Sequence, residues 1–196
     1  METKIAYFED VRADNTEATF SLVRQRLKGS AIKKLVLAST TGAIAQRAVR
    51  FFRDDGVKLI VVPHQFYFKR DTNPFPQELA KSLREMGHEV HFATMLFHTD
   101  GFYASSKATL MANLLRCFSQ GVKVCFEIVL MATDGGLVAS GEQVIAIAGT
   151  ARGSDTALVM QAASSQQLKR LRVNEILCKP LNPLNIDEAL ETFKGG

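Results

Sequence analysis

Residues 34–62, KLVLASTTGAIAQRAVRFFRDDGVKLIVV, decide how this chain folds. The stretch begins and ends with almost continuously apolar runs, Lys34 to Ala38 and Val57 to Val62. Runs of that kind suit strands buried on both faces. Between them Ile44, Ala45, Ala48, Phe51 and Phe52 recur at helical spacing, and Gly56 stops the helix. Strand, helix and strand in so short a stretch form the unit of a parallel sheet covered by helices.

The same alternation continues in both directions. Lys4 to Phe8 reads as a short strand. Asn15 or Thr16 then caps a helix running to about Lys28, with Ala18, Leu22, Val23 and Leu27 on its apolar side. After a loop rich in aromatics, Pro63 to Pro76, the proline opens a helix that ends near Gly87. His88 to Ala93 alternates as a strand does. Ser105 or Ser106 caps a long helix to Gln120, closed by Gly121. Val122 to Met131 reads as the strongest central strand, followed by a turn and a short helix, Leu137 to Gly141. Gln143 to Ala148 and Thr156 to Gln161 form a hairpin, so this end of the sheet is expected to turn antiparallel. A polar helix from Ser165 to Arg172, a strand from Glu175 to Cys178 and a helix from Asn185 follow. The expected architecture is a three-layer α/β/α sandwich with a mostly parallel sheet, one domain over residues 1–196.

Composition narrows the function classes. Of 196 residues, 46% are hydrophobic and 22% charged, the balance of an ordinary globular domain. The net charge of +4 is scattered: Lys33-Lys34 and Lys169 to Arg172 are not interleaved with aromatics. No nucleic-acid partner is expected, whereas a mild positive field favours small anions. No apolar run approaches the roughly 18 residues of a membrane span, since Val124 to Ala132 is short and contains Glu127. The opening METKIAYFED lacks the basic and apolar regions of a signal peptide, so a cytoplasmic protein is expected. Cys117, Cys125 and Cys178 lie far apart among apolar neighbours and read as core thiols. His88, His91 and His98 lack ligand spacing, so no metal is expected.

Two segments carry chemistry. Ser39, Thr40, Thr41 and Gly42 stand where a buried strand gives way to a helix. Their hydroxyls, the free N–H groups and the helix dipole suit a phosphate, although a simple helix cap uses the same residues. Gly149, Thr150, Ala151, Arg152, Gly153, Ser154, Asp155 and Thr156 follow another buried strand. A hairpin needs only their glycines and Asp155; the hydroxyls and Arg152 exceed that need. If both strands run parallel, the two loops converge on one phosphorylated small molecule. Four further residues join the candidate site. Asn15 follows the first strand and either contacts the ligand or caps a helix. His64 heads the aromatic run to Phe68, which either stacks on a ring or packs on the sheet edge. Thr133 and Asp134, beyond the presumed central strand, either meet ligand hydroxyls or cap the next helix. Glu127, in an apolar setting, requires a partner.

Residues 35–63 resemble the strand, STG-type loop, helix and strand of the pyruvate kinase C-terminal domain, and GTARGSDTA resembles the loop near that domain's end. With NTEAT, ASTTG, VKVCFEIVLMATDGG and ARGSDTA, nearly the whole chain resembles stand-alone pyruvate kinase C-terminal-domain-like proteins of archaea and bacteria. The resemblance implies a flavin mononucleotide (FMN) site, as in some members of that group. The catalytic barrel of pyruvate kinase has no room here, so pyruvate kinase activity is not expected. The expected function is binding of a small phosphorylated ligand, FMN first. A flavin-dependent oxidoreductase and a sensor of a sugar phosphate effector are the alternatives, and whether the chain is an enzyme stays open.

Overall fold

A computed structural model describes residues 4–192 of the chain. Seven strands, β1 (Ala6–Phe8), β2 (Lys34–Ala38), β3 (Lys58–Val62), β4 (Glu89–Val90), β5 (Gln143–Ala148), β6 (Thr156–Gln161) and β7 (Arg172–Pro180), form one sheet in the order β1-β7-β6-β5-β2-β3-β4. All neighbours pair in parallel except across β6, which is antiparallel to both β5 and β7. The sheet is therefore mostly parallel with one reversed strand, and the expected hairpin is present.

Helices cover both faces, which makes the chain a three-layer α/β/α sandwich. On one face α1 (Thr16–Leu27), α2 (Ala43–Phe51) and α3 (Gln77–Glu85) pack Phe20, Phe52 and Leu83 against Leu35, Leu37, Leu59 and Val61. The other face presents Val36, Ile60, Val144 and Ala146. Between these, α4 (Asp100–Tyr103) and α5 (Lys107–Arg116) lead into α6 (Gln120–Asp134), which covers that second face, and α7 (Ile186–Thr192) follows β7. Alternation along β2 and β3 thus feeds two cores at once, which is why both strands read as unbroken apolar runs.

The segment expected to be the central strand, Val122 to Met131, lies within α6. Eleven of its 15 residues are buried, because it covers the second face and is itself covered by α5. A helix buried nearly all round loses the polar stripe that marks helical period, and its β-branched residues then imitate a strand. The expected helix to Gln120 ends at Arg116 for the same reason: Ser119 starts α6, its Oγ accepting from the Val122 N–H at 3.0 Å. Leu137 to Gly141 is turn rather than helix, and Ser165–Arg170 is a kinked 3-10 segment. Among the described residues no helix is long and apolar enough to cross a membrane. Cys125 and Cys178 are core thiols, with burial pushing Cys178 up to about 12; Cys117, by contrast, is exposed.

Candidate functional site

Because β6 alone is reversed, the carboxyl ends of β1, β2, β3, β4, β5 and β7 share one edge. β2 lies between β3 and β5, with Leu37 level with both Val61 and Ile147. Residues 39–42 are therefore flanked by the 63–76 loop on one side and by the 149–155 loop on the other. Helices α1, α2 and α3 each start at this edge. So does α6, whose Ser119 hydroxyl lies 3.4 Å from that of Thr156. Four helix N-termini direct partial positive charge here.

Ser39 to Gly42 close β2 and open α2. Ser39 is buried, and its Oγ accepts from the Ala45 N–H at 3.2 Å, so this hydroxyl caps the helix. Gly42 takes φ +87°, a left-handed conformation that a side chain disfavours. The space beside its α-carbon is filled by Leu79 with Pro76 and Phe75, so Gly42 serves the turn and packing on α3 rather than the approach of a ligand. Thr40 and Thr41 are exposed. Among the described residues, the N–H groups of Thr40, Thr41, Gly42, Ala43 and Ile44 have no protein partner. The Thr40 hydroxyl stands 3.4 Å from His64 Nε2. Burial holds the His64 imidazole below its ordinary range, against the Glu127 carboxylate and with the positive charges of Lys123, Arg70 and Lys69. Beyond it, Tyr67 and Lys69 adopt φ +61° and +58°, conformations that cost non-glycine residues energy.

The 149–156 loop is organised from inside. Asp155 is buried, and its carboxylate accepts from the Thr150 N–H (3.0 Å), the Thr150 hydroxyl (2.5 Å) and the Thr156 hydroxyl (2.7 Å). Burial nevertheless raises its pKa above the ordinary carboxylate value. The Ser154 N–H donates to Thr16 Oγ1 at 2.9 Å and the Ser154 carbonyl accepts from Thr19 Oγ1 at 3.0 Å, tying the loop to α1. Gly149 abuts the Gly153 carbonyl, where a side chain would collide. This framework leaves Arg152 exposed, and the N–H groups of residues 151–153 are unpartnered among the described residues. Ser154 Oγ is buried without any partner. Asn15 does not cap α1 with its side chain; its amide donates to the Asp10 carbonyl at 3.0 Å and shapes the preceding loop.

Thr133 and Asp134 are not brought to this edge. They end α6, about 22 Å of helix from its start. Thr133 donates back to the Val129 carbonyl, and Asp134 accepts from the Ser165 N–H beyond the far end of β6. Their assignment to the site followed from reading α6 as a strand, and the structure removes it.

One cluster lies in the first two turns of α6, where Glu127 has the partner expected of it, while Lys123 and His98 were not foreseen as its neighbours. Lys123 and Glu127, both buried, pair at 2.5 Å. Glu127 also accepts from the Phe97 N–H at 2.8 Å, and Lys123 Nζ lies 3.2 Å from His98 Nε2. Burial and the neighbouring Lys123 push His98 down to about 4. Phe68 stands between the rings of His64 and His98, with centroids 5.1 and 4.9 Å away, and so links this cluster to Thr40. The spacing of opposite charges four residues apart was the available signal for both the pair and the helix. A cavity of about 410 Å³, between Phe97, Tyr103, Met111, Leu130 and Leu168, is lined by no residue of 39–42, 63–76 or 149–156.

No protein-family model matches this chain. Among solved structures, the crystal structure of a pyruvate kinase from Cryptosporidium parvum is similar to it at 14% identity and a TM-score of 0.42. The likeness covers 75% of this chain and 22% of that one, so the chain spans about a fifth of the pyruvate kinase.

Proposed function

We propose that this chain binds a small phosphorylated ligand at the carboxyl edge of its sheet, and that the ligand is FMN. The observation that carries the reading is the adjacency of β2 and β5, which sets side by side two loops whose N–H groups at 40–44 and 151–153 have no protein partner among the described residues. A phosphate accepts from such groups, and the α2 dipole favours its charge. Thr40 and Thr41 would add hydroxyl donors, and Arg152 a charged one. Ser154 Oγ, buried and orphaned, is a polar atom that a ligand or a small loop movement would satisfy. These groups fit the phosphate of FMN, and the aromatic side chains of 66–68 fit its ring.

Bound FMN supplies one- or two-electron transfer at its ring. A second reading, a flavin-dependent oxidoreductase, draws support from the buried Lys123–Glu127 pair and His98 beside that aromatic loop. Turnover of a reductant by FMN-loaded protein separates it from a binding or sensing domain. Calorimetry with FMN, riboflavin and inorganic phosphate tests the main reading. FMN is expected to bind more tightly than riboflavin. Equal affinities would remove the phosphate site, and binding of phosphate or a sugar phosphate without FMN would keep the site and replace the cofactor.

A further inference from the structure

The α4–α5 region carries a surface that neither the phosphate site nor the core explains. Fourteen large hydrophobic side chains are exposed among the described residues, and six of them fall between positions 102 and 118. Phe102 is 84% exposed, Tyr103 69%, Leu110 69%, Leu114 67% and Phe118 50%, with Met111 beside them. On α5 the buried side is Ala112, flanked by Ala108 and Leu115. Leu110, Leu114 and Cys117 recur at intervals of four and three, which aligns them along a different face. The helix therefore has two apolar sides, one used against α6 and one bare. Lys107 contributes the one charge bordering the bare side on this helix.

Taking about 200 Å² as the full area of an aromatic side chain, the three aromatics alone expose about 400 Å². The leucines and Met111 bring the apolar total to roughly 600 Å². Monomers rarely leave a contiguous apolar patch beyond a few hundred Å². A stable dimer buries about 800 Å² from each partner, a little over half of it apolar, and the exposed apolar area of these side chains is of that order. The patch also borders the cavity of about 410 Å³ lined in part by Tyr103, Met111 and Leu168. An exposed aromatic, Phe102, and this cavity thus occur in the same α4–α5 region, which suits a self-complementary contact between identical faces.

We infer that the chain forms a twofold dimer through α4 and α5, a second copy covering the bare side of α5. Sedimentation of the full chain between about 1 and 100 μM tests this, with a species of twice the 21.6 kDa chain mass expected. The substitution pair Leu110→Glu and Leu114→Glu should return it to the monomer and weaken association at least a hundredfold, with its circular dichroism unchanged. Phe102→Ser, on another helix and at a solvent-facing position, weakens association about tenfold and decides the matter should the pair misfold. Labelling of native thiols gives an independent readout, since Cys117 is the exposed cysteine and lies on the bare stripe. Its labelling should slow as protein concentration rises, and lose that dependence in the variants. A wild-type monomer throughout the range, or a dimer indifferent to both sets of substitutions, overturns the inference.

Discussion

The loop after β2 and the loop after β5 sit side by side at one sheet edge, yet they are built in opposite ways. Residues 39–42 hold their shape with one buried hydroxyl, Ser39, and a left-handed glycine, leaving two threonines exposed and a row of N–H groups without a protein partner among the described residues. Residues 149–156 turn most of their polar groups inward, onto the Asp155 carboxylate and onto Thr16 and Thr19 of α1. The first loop is a row of donors on a minimal frame, and the second is a frame that exposes an arginine and leaves three N–H groups unpartnered among the described residues. Similar residue types therefore do different work in the two loops, and substitutions should separate stability from binding.

The largest difference should appear on Asp155→Ala. Removing this carboxylate leaves the Thr150 N–H and two hydroxyls facing a void where burial excludes ready replacement by solvent. A buried donor left unsatisfied costs about 1–3 kcal/mol, and the hydroxyls can rotate, so a loss of about 3 kcal/mol is expected. Thr40→Val in the open loop should stay within about 0.5 kcal/mol of wild type. Urea denaturation of both variants checks the contrast, which fails if their midpoints move equally.

Arg152→Ala should show the reverse pattern. The side chain is exposed and outside the internal network, so stability should change by no more than about 0.5 kcal/mol. A charge-assisted hydrogen bond contributes about 1.5–3 kcal/mol, so FMN affinity should fall roughly tenfold to a hundredfold. Calorimetry with FMN reads this directly. Unchanged affinity would take the second loop out of the binding site and leave it a framework alone.

Acidity sets the inward-built loop apart from the loop before α1, with a smaller effect. Burial raises the Asp155 pKa, so the folded protein holds this proton at pH values where the unfolded chain has released it. Its contribution to stability is therefore present below the ordinary value of 3.8 and lost as pH rises through the raised folded value. Asp14, hydrogen-bonded to Thr16 and paired with Arg47, has a lowered pKa and the opposite dependence, losing its contribution as pH falls. In Asp155→Asn the stabilising uptake of a proton is gone, so stability should decline more steeply than in wild type as pH falls toward 3.8. A parallel decline, followed by thermal melts, would mean that Asp155 is not desolvated as described.

How much of this was legible in the sequence depended on whether an element kept one wet side. Helix α2 did, exposing Gln46 and Arg50 on the side away from buried Ala45 and Ala48, and the strand, loop, helix and strand of residues 34–62 were read in their order, although the helix ends at Phe51, short of Gly56. Helix α6 did not, and its uniform apolarity concealed a helix with a buried ion pair. That error carried Thr133 and Asp134 into the site from the opposite edge. That residues 39–42 and 149–156 share one edge of the sheet followed from their places after buried strands; that β2 and β5 are neighbours is seen only in the structure. The role of Asp155 as the centre of its loop did not, because sequence cannot tell an aspartate that faces a ligand from one that faces its own backbone.

Thr41→Val is the smallest change expected to register, and it tests whether hydroxyls or backbone groups do most of the binding in the open loop. Valine keeps the β-branched shape of threonine, so the local backbone preference is retained while the donor is lost. Thr41 is exposed and outside the Ser39 cap, so the fold should not respond. The unpartnered N–H groups of residues 40–44 remain in place. A neutral hydrogen bond contributes a net 0.5–1.5 kcal/mol, so FMN affinity should fall by about two- to tenfold, less than for Arg152→Ala. A loss as large as that of Arg152→Ala would make the hydroxyl an equal partner of the charge and weaken the case for a backbone cradle. No loss, in a protein that still prefers FMN to riboflavin, would assign the phosphate to the N–H groups and Thr40.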